Sequence, residues 1–560
     1  MAASVRKRLR IQTFDDFCAE RLLDIEDMAV PRHATPEQLK PHVLAAIERV
    51  LANPDERYAD DMAIDGQGEA LVEGLLATFA RLKGTLLLPL EAQDRTLNPD
   101  LADELGHDYL SLRTFWAYEH IRRGGHPDHH AFRAPNDATY DLAHLLLDEE
   151  SFFDLPHPLA LGLNLVLVDE MHDTNRAMFT VLRGVLKHNT AAFVGVGDRD
   201  QVIHAVAGAE AAFMGATFDR EVGPAHRFPL STSYRFGPEL AQAVSLLTRK
   251  AYAATPSRQT TVKVIRCATP VDASWQLHQL VTSREGLSPT SMASDVAILL
   301  RQPHQSVDLE NLLLDKGIDY RTAGFAPYLM RPEVLFVRGL IAHARQAFDG
   351  IEQAETRLAV LRALLLFSGA ELEDEKASLA EVVAQSKLVG VFIDNQVLRL
   401  ASPMARSLMQ SAIAVLQAEQ TDDLLTHFLQ ALQPHQLAAR VMVRTPDIEQ
   451  VAANMAGLVR SAATFDNLES FFRATNAREI RQQAMKGQNC IVLSSIEAAK
   501  GLEFDHVIMP GLNKGEFAIG GHSADNRNLL YVGMTRARHR LSILCDDSRP
   551  SKYLIDAGLI

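Results

Sequence analysis

Two apolar runs, each released into carboxylates, most constrain what this chain can fold into. The first, Leu163-Asn164-Leu165-Val166-Leu167-Val168, predicts a buried parallel strand and ends in Asp169 and Glu170. The second, Ala191 to Val196, breaks at Gly197 and releases Asp198-Arg199-Asp200-Gln201. In open α/β sheets, ligands lie outside the carboxyl ends of strands. An Asp-Glu pair in that position suits two tasks, holding a metal ion and polarising a water, and phosphoanhydride hydrolysis needs both. A single such pair is weak evidence, because many buried strands end in acids. Its weight comes from the residues around it.

Val168-Asp169-Glu170-Met171-His172-Asp173-Thr174-Asn175 resembles motif II of the UvrD/Rep-type superfamily 1 DNA helicases, and Gly197-Asp198-Arg199-Asp200-Gln201-Val202-Ile203-His204 resembles their motif III. Phe228-Pro229-Leu230-Ser231-Thr232-Ser233-Tyr234-Arg235-Phe236 is similar to motif IV. Ser494-Ser495 with Lys500-Gly501-Leu502-Glu503-Phe504 is similar to motif V, and Tyr531-Val532-Gly533-Met534-Thr535-Arg536-Ala537-Arg538 to motif VI. The resemblance implies an α/β protein with two RecA-like parallel-sheet cores of the P-loop NTPase type, each carrying a helical insertion. It implies that ATP and Mg²⁺ lie in the cleft. Asp169 would hold the metal through water, Glu170 would deprotonate the attacking water, and Gln201 would sense the γ-phosphate. Arg235 and Arg536 would stabilise charge on the transferred phosphoryl group, an effect worth about 10³- to 10⁵-fold in rate for such arginines. Gly501 and Glu503 would contact the nucleotide, Glu503 through its ribose.

The same resemblance assigns DNA contacts to Thr13, Phe14, His172, His204, Ser495 and Lys500. Thr13 and Phe14 belong to Arg10-Ile11-Gln12-Thr13-Phe14-Asp15, which reads as a short strand entering a helix; a cap with Phe14 in the core fits that segment equally well. His204 stands where the family has a stacking tyrosine, and Val206 and Ala207 replace other family residues. Base stacking contributes roughly 1–3 kcal/mol per aromatic, so a weaker grip on single strands follows unless Phe14, Trp116 or Tyr234 compensates. His172 replaces a glutamine and weakens the usual link between the nucleotide and DNA sites.

With a formal net charge of −15 and a pI of about 5.8, the chain is no general nucleic-acid coat. A translocase that lines one groove with Arg and Lys remains compatible, since charge acts by patch. Cys18, Cys267, Cys490 and Cys545 form no CxxC pair, which argues against disulfides, zinc and iron–sulfur clusters and fits a reducing cytoplasm. No apolar run is long enough to span a bilayer, so no membrane association is expected. His126-Pro127-Asp128-His129-His130 beside Gly124-Gly125 reads as a surface loop, and adjacent histidines aim poorly at one metal ion.

The 560 residues divide into a first RecA-like core at 1–35 and 137–224 with a helical insertion at 36–136. The second core occupies 225–333 and 488–560, with a helical insertion at 334–487. Leu112 to Tyr118 sits on a helix whose aromatics suit core packing. Leu541 to Cys545 reads as the strand that closes the second sheet. No GxxxxGK[ST] loop occurs; Lys83-Gly84-Thr85 and Asn513-Lys514-Gly515 lack its spacing. The expectation is a first core that is N-terminally incomplete, lacking the Walker A segment. Two functions follow. One is an ATP-dependent DNA helicase or translocase, 3′-to-5′ by resemblance, acting on single-stranded or partly duplex DNA. The other is a non-catalytic helicase-like subunit that binds DNA or a partner, such as a nuclease or a chain supplying the Walker A segment.

Overall fold

The computed structural model describes residues 9–62, 69–86, 97–124, 130–147, 157–203, 207–283, 290–302, 305–370, 372, 375–418, 424–442, 445–463, 465, 467–484, 489–517 and 523–560. The chain separates into two compact units, the first running to Phe228 and the second from Pro229 to Ile560.

In the first unit the helices used below are α1 (Phe14–Glu26), α2 (Pro36–Leu51), α3 (Glu69–Thr85), α4 (Pro99–Leu105), α5 (Tyr109–Arg122) and α6 (Asp137–Leu147). Strand β1 (Leu165–Val168), helix α7 (Arg176–Lys187) and strand β2 (Ala192–Gly195) follow. Residues 9–13 form no strand. Thr13 is instead the N-cap of α1, its side chain accepting from the Asp16 backbone at 3.1 Å. The serine, threonine and aspartate preference at caps explains why the chain turns helical there.

β1 and β2 pair in parallel, Leu165 opposite Ala192 through Val168 opposite Gly195. Val166, Val168 and Phe193 face a core built from Phe14, Phe179, Leu182 and Phe218. The opposite face corrects the expectation of a buried strand: Leu165, Leu167, Val194 and Val196 are 44–61% exposed. Side chains alternate across a strand. Helices cover only one face of this two-stranded sheet, so every second apolar residue is left in solvent.

Helices α2 to α5 gather around a separate apolar core, with Phe79, Leu112, Phe115 and Tyr118 almost wholly buried. The aromatics of α5 therefore pack rather than present a stacking surface. Beneath them lies a buried ionic cluster. Arg122 bonds Glu119 at 2.6 Å and Asp141 at 2.7 Å, Lys83 meets Glu119 at 2.9 Å, and Arg133 reaches Asp141 at 2.8 Å. His130 lies 3.3 Å from Asp141, while residues 126–129 of the histidine-rich stretch fall outside the described residues. Among the described residues no three His, Cys, Asp or Glu side chains group as a metal site.

The second unit begins with strand β3 (Thr232–Ser233), helix α8 (Pro238–Thr248) and strand β4 (Ala253–Ala254), and β3 pairs with β4. Next come β5 (Thr261–Cys267), α9 (Pro270–Thr282), β6 (Val296–Leu300), α10 (Ser306–Asp315) and β7 (Tyr320–Ala323). Among the described residues from 332 to 484 only helices occur, including α11 (Pro332–Ala344), α12 (Ala354–Ser368), α13 (Thr445–Ala462) and α14 (Leu468–Ala484). β8 (Ile491–Ser495), β9 (Phe504–Met509), α15 (Ser523–Met534) and β10 (Ala537–Asp546) return the chain to the sheet.

All pairings in this six-stranded sheet are parallel, in the order β5-β10-β9-β6-β8-β7. β6, β8 and β9 are buried on both faces, as sheets sandwiched by helices require. β10 does not close an edge. It lies inside the sheet between β5 and β9. Arg338 of α11 ties the helical region together through Glu479 at 3.0 Å and Asn476 at 2.6 Å on α14. The fold is thus mixed α/β with parallel sheets of the RecA-like kind. Among the described residues no helix is long and apolar enough to cross a membrane.

Candidate functional site

In the first unit the ends of β1 and β2 bring together Asp169, Glu170, His172, Asp198 and Gln201. Pairing continues past the strands, with Val196 N–H donating to Val168 O and Met171 N–H to Val196 O, both at 2.8 Å. This extension pulls the two carboxylate-bearing turns side by side. Gly197 permits the approach, because a Cβ there would sit 3.0 Å from the His172 nitrogen and 2.8 Å from the Met214 methyl.

Glu170 adopts φ +48°, a left-handed conformation uncommon outside glycine and concentrated at functional turns. Its carboxylate is 56% exposed. Asp169 accepts the Glu170 backbone N–H at 2.9 Å. Asp198 caps the turn at 199–201, accepting from Asp200 N–H and from Gln201 Nε2, each at 3.1 Å. His172, expected at the DNA surface, has no exposed side chain. It accepts the Asp198 N–H on Nδ1 at 3.1 Å, which joins the two turns, and its Nε2 lies 3.4 Å from Glu170. His204 lies outside the described residues.

In the second unit the end of β3 and the turn after it, the turn before β5 and the starts of β9 and β10 form an open polar hollow of about 640 Å³. It is lined by Ser233, Tyr234, Arg235, Arg258, Glu503, Arg538 and His539. Arg235 donates to Glu503 at 2.8 Å and to the Thr535 carbonyl at 3.1 Å, and Arg538 grips the other Glu503 oxygen at 2.5 Å. Burial works to raise the Glu503 pKa, but the two guanidinium groups outweigh it and hold the carboxyl below its usual range. Gly501 takes φ +79°, which explains glycine at that turn.

Arg536 does not line the hollow. It is 2% exposed and donates to the Val532 and Leu502 carbonyls and to Thr535 Oγ1, at 2.9 to 3.3 Å. A γ-phosphate role read from sequence therefore meets an interior guanidinium. Arg258, Arg538 and His539, which sequence reasoning passed over, occupy the open position.

Thr13 caps α1, and Phe14 packs against the β1–β2 core. Ser495 is 7% exposed and accepts the Ala498 N–H at 3.1 Å, while Lys500 is half-buried. Tyr234 is 73% exposed.

Comparison with known proteins matches residues 133–220 to the UvrD/REP helicase N-terminal domain and residues 409–547 to the UvrD-like helicase C-terminal domain. These two matches, with the relatives that follow, support the resemblance to the UvrD/Rep-type superfamily 1 helicases. Among its relatives are DNA helicase II of Haemophilus influenzae, 24% identical over 69% of this chain and 55% of the relative. The ATP-dependent DNA helicase UvrD1 of Mycobacterium tuberculosis is 26% identical over 68% of this chain and 54% of the relative. DNA helicase II of Escherichia coli is 25% identical over 73% of this chain and 60% of the relative. The chain spans little more than half the length of these curated relatives.

Proposed function

We propose that this chain works as an ATP-dependent DNA helicase or translocase moving 3′-to-5′ on single-stranded DNA in the cytoplasm, as the names of its relatives suggest for the reaction class. The observation that carries the reading is the paired turn beyond β1 and β2, where Asp169 and Glu170 stand beside Asp198 and Gln201. Mg²⁺ fits this donor set. A small hard cation takes one or two carboxylates and completes its shell with water and substrate phosphates, so Asp169 suffices without a three-residue cluster. When bound, the ion would neutralise phosphate charge.

Glu170, half-exposed on a fixed left-handed turn, accepts the proton of the attacking water. Gln201, held by Asp198, reads the terminal phosphate. Arg235, in the second-unit hollow, supplies positive charge to phosphate oxygens. The test is ATP hydrolysis by the protein purified with its natural partners. Single-stranded DNA should stimulate turnover, and Glu170→Gln should lower kcat by about 10²- to 10⁴-fold. Hydrolysis indifferent to DNA overturns the reading.

The buried Arg536 favours a second reading, a helicase-like subunit that binds DNA or a partner without turning over nucleotide. On that reading Glu170→Gln leaves biological activity intact.

A further inference from the structure

We propose that His172 is a positioning residue that fixes the Glu170 carboxylate and couples it to Gln201 through Asp198; the inference rests on the catalytic reading of Glu170 above. The imidazole is fully buried, and its hydrogen bonding defines its tautomer. A ring nitrogen that accepts an N–H carries no proton, so acceptance from Asp198 on Nδ1 places the proton of the neutral ring on Nε2. Nε2 lies 3.4 Å from Glu170 Oε2 and 3.8 Å from Asp173 Oδ1. The first distance is long for a hydrogen bond, as contacts of catalytic bases commonly are before substrate arrives.

The rest of the path is already made. Asp198, whose backbone holds the ring, uses its carboxylate to hold the Gln201 amide at 3.1 Å. Glu170, His172, Asp198 and Gln201 therefore form one polar chain, from the residue that would activate water to the residue that would sense phosphate. The Glu170 backbone is fixed by its left-handed φ and by the neighbouring Met171–Val196 bond. Its carboxylate is the remaining degree of freedom, and His172 is the buried donor next to it. A glutamine at 172 has the same two polar functions, an acceptor for Asp198 N–H and a donor for Glu170. Leucine has neither.

The experiment has two arms on the full chain. Long-range ¹H–¹⁵N spectra of histidine-labelled protein, with the His172 signal identified by its loss in His172→Gln, should show the Nε2–H tautomer. Glu170→Gln should shift that Nε2 signal. An Nδ1–H tautomer, an averaged ring, or a signal indifferent to Glu170→Gln overturns the proposal. In the kinetic arm, His172→Leu should lower kcat about 10²-fold with KM unchanged, the scale of a catalytic group misplaced by an ångström. His172→Gln should recover most of it, and equal loss in both variants also overturns the proposal. Wild-type protein that turns over no nucleotide overturns the functional reading instead, and the tautomer result then decides this one alone.

Discussion

At the scale of single residues, Glu503 is the hinge of the second-unit hollow, because one carboxylate occupies two guanidinium groups at once. Removing its charge should release Arg235 and Arg538 toward any polyanion. Glu503→Gln should tighten pyrophosphate binding by about 1 kcal/mol, roughly fivefold, a modest figure because the pair is partly exposed. Calorimetry would measure it, and the gain should shrink at high salt. Pyrophosphate is the right probe, since it lacks the ribose that Glu503 would otherwise bind. Arg235 and Glu503 were legible from motif resemblance, whereas Arg538 was not. Arg536 and Arg538 lie two positions apart, but Arg536 sits in the turn after α15 and is buried, whereas Arg538 is already in β10 and lines the hollow. Sequence spacing carries no record of that turn.

At the scale of elements, the first-unit helices are fastened by charge rather than by apolar stripes alone. Burial raises the cost of the Glu119 charge, yet Arg122 and Lys83 more than offset it and bring its pKa down to about 2. Such a cluster tolerates loss of a member badly, since the survivors remain buried and unpaired. Arg122→Met should destabilise the first unit by ~3–5 kcal/mol in urea, followed by the emission of the half-buried Trp116. A loss under 1 kcal/mol would mean that Lys83 and Arg133 compensate. The cluster was invisible in the sequence because Lys83, Glu119, Arg133 and Asp141 come from separate segments. The converse holds for β1. Its apolar run announced a strand, and its exposed face could not be read, because burial depends on what covers the strand and not on the strand itself.

At the scale of the whole molecule, the two units should answer acid differently. In the first, Glu119 and Asp141 are held below their ordinary values by Arg122 once burial is overcome. A depressed carboxyl contributes stability above its unfolded pKa near 4.5, and that contribution is lost as pH falls toward 2. In the second unit, burial raises Glu310 and Glu333 despite Arg331, so protonating them relieves the fold. Both units share one loss. Burial lowers His144 to about 4 and His506 to about 3, so stability declines from pH 6.5 downward as the unfolded chain takes up protons that the folded rings refuse. Below about pH 4.5 the carboxyl contributions diverge, and the first unit should unfold at the higher pH. The chain's two tryptophans separate the events, since Trp116 is half-buried in the first unit and Trp275 is 58% exposed in the second. The tryptophan red shift should therefore precede the main loss of far-ultraviolet ellipticity during acid titration. Coincident transitions would show that the two units unfold as one cooperative block, and a red shift that lags would reverse the assignment of the weaker unit.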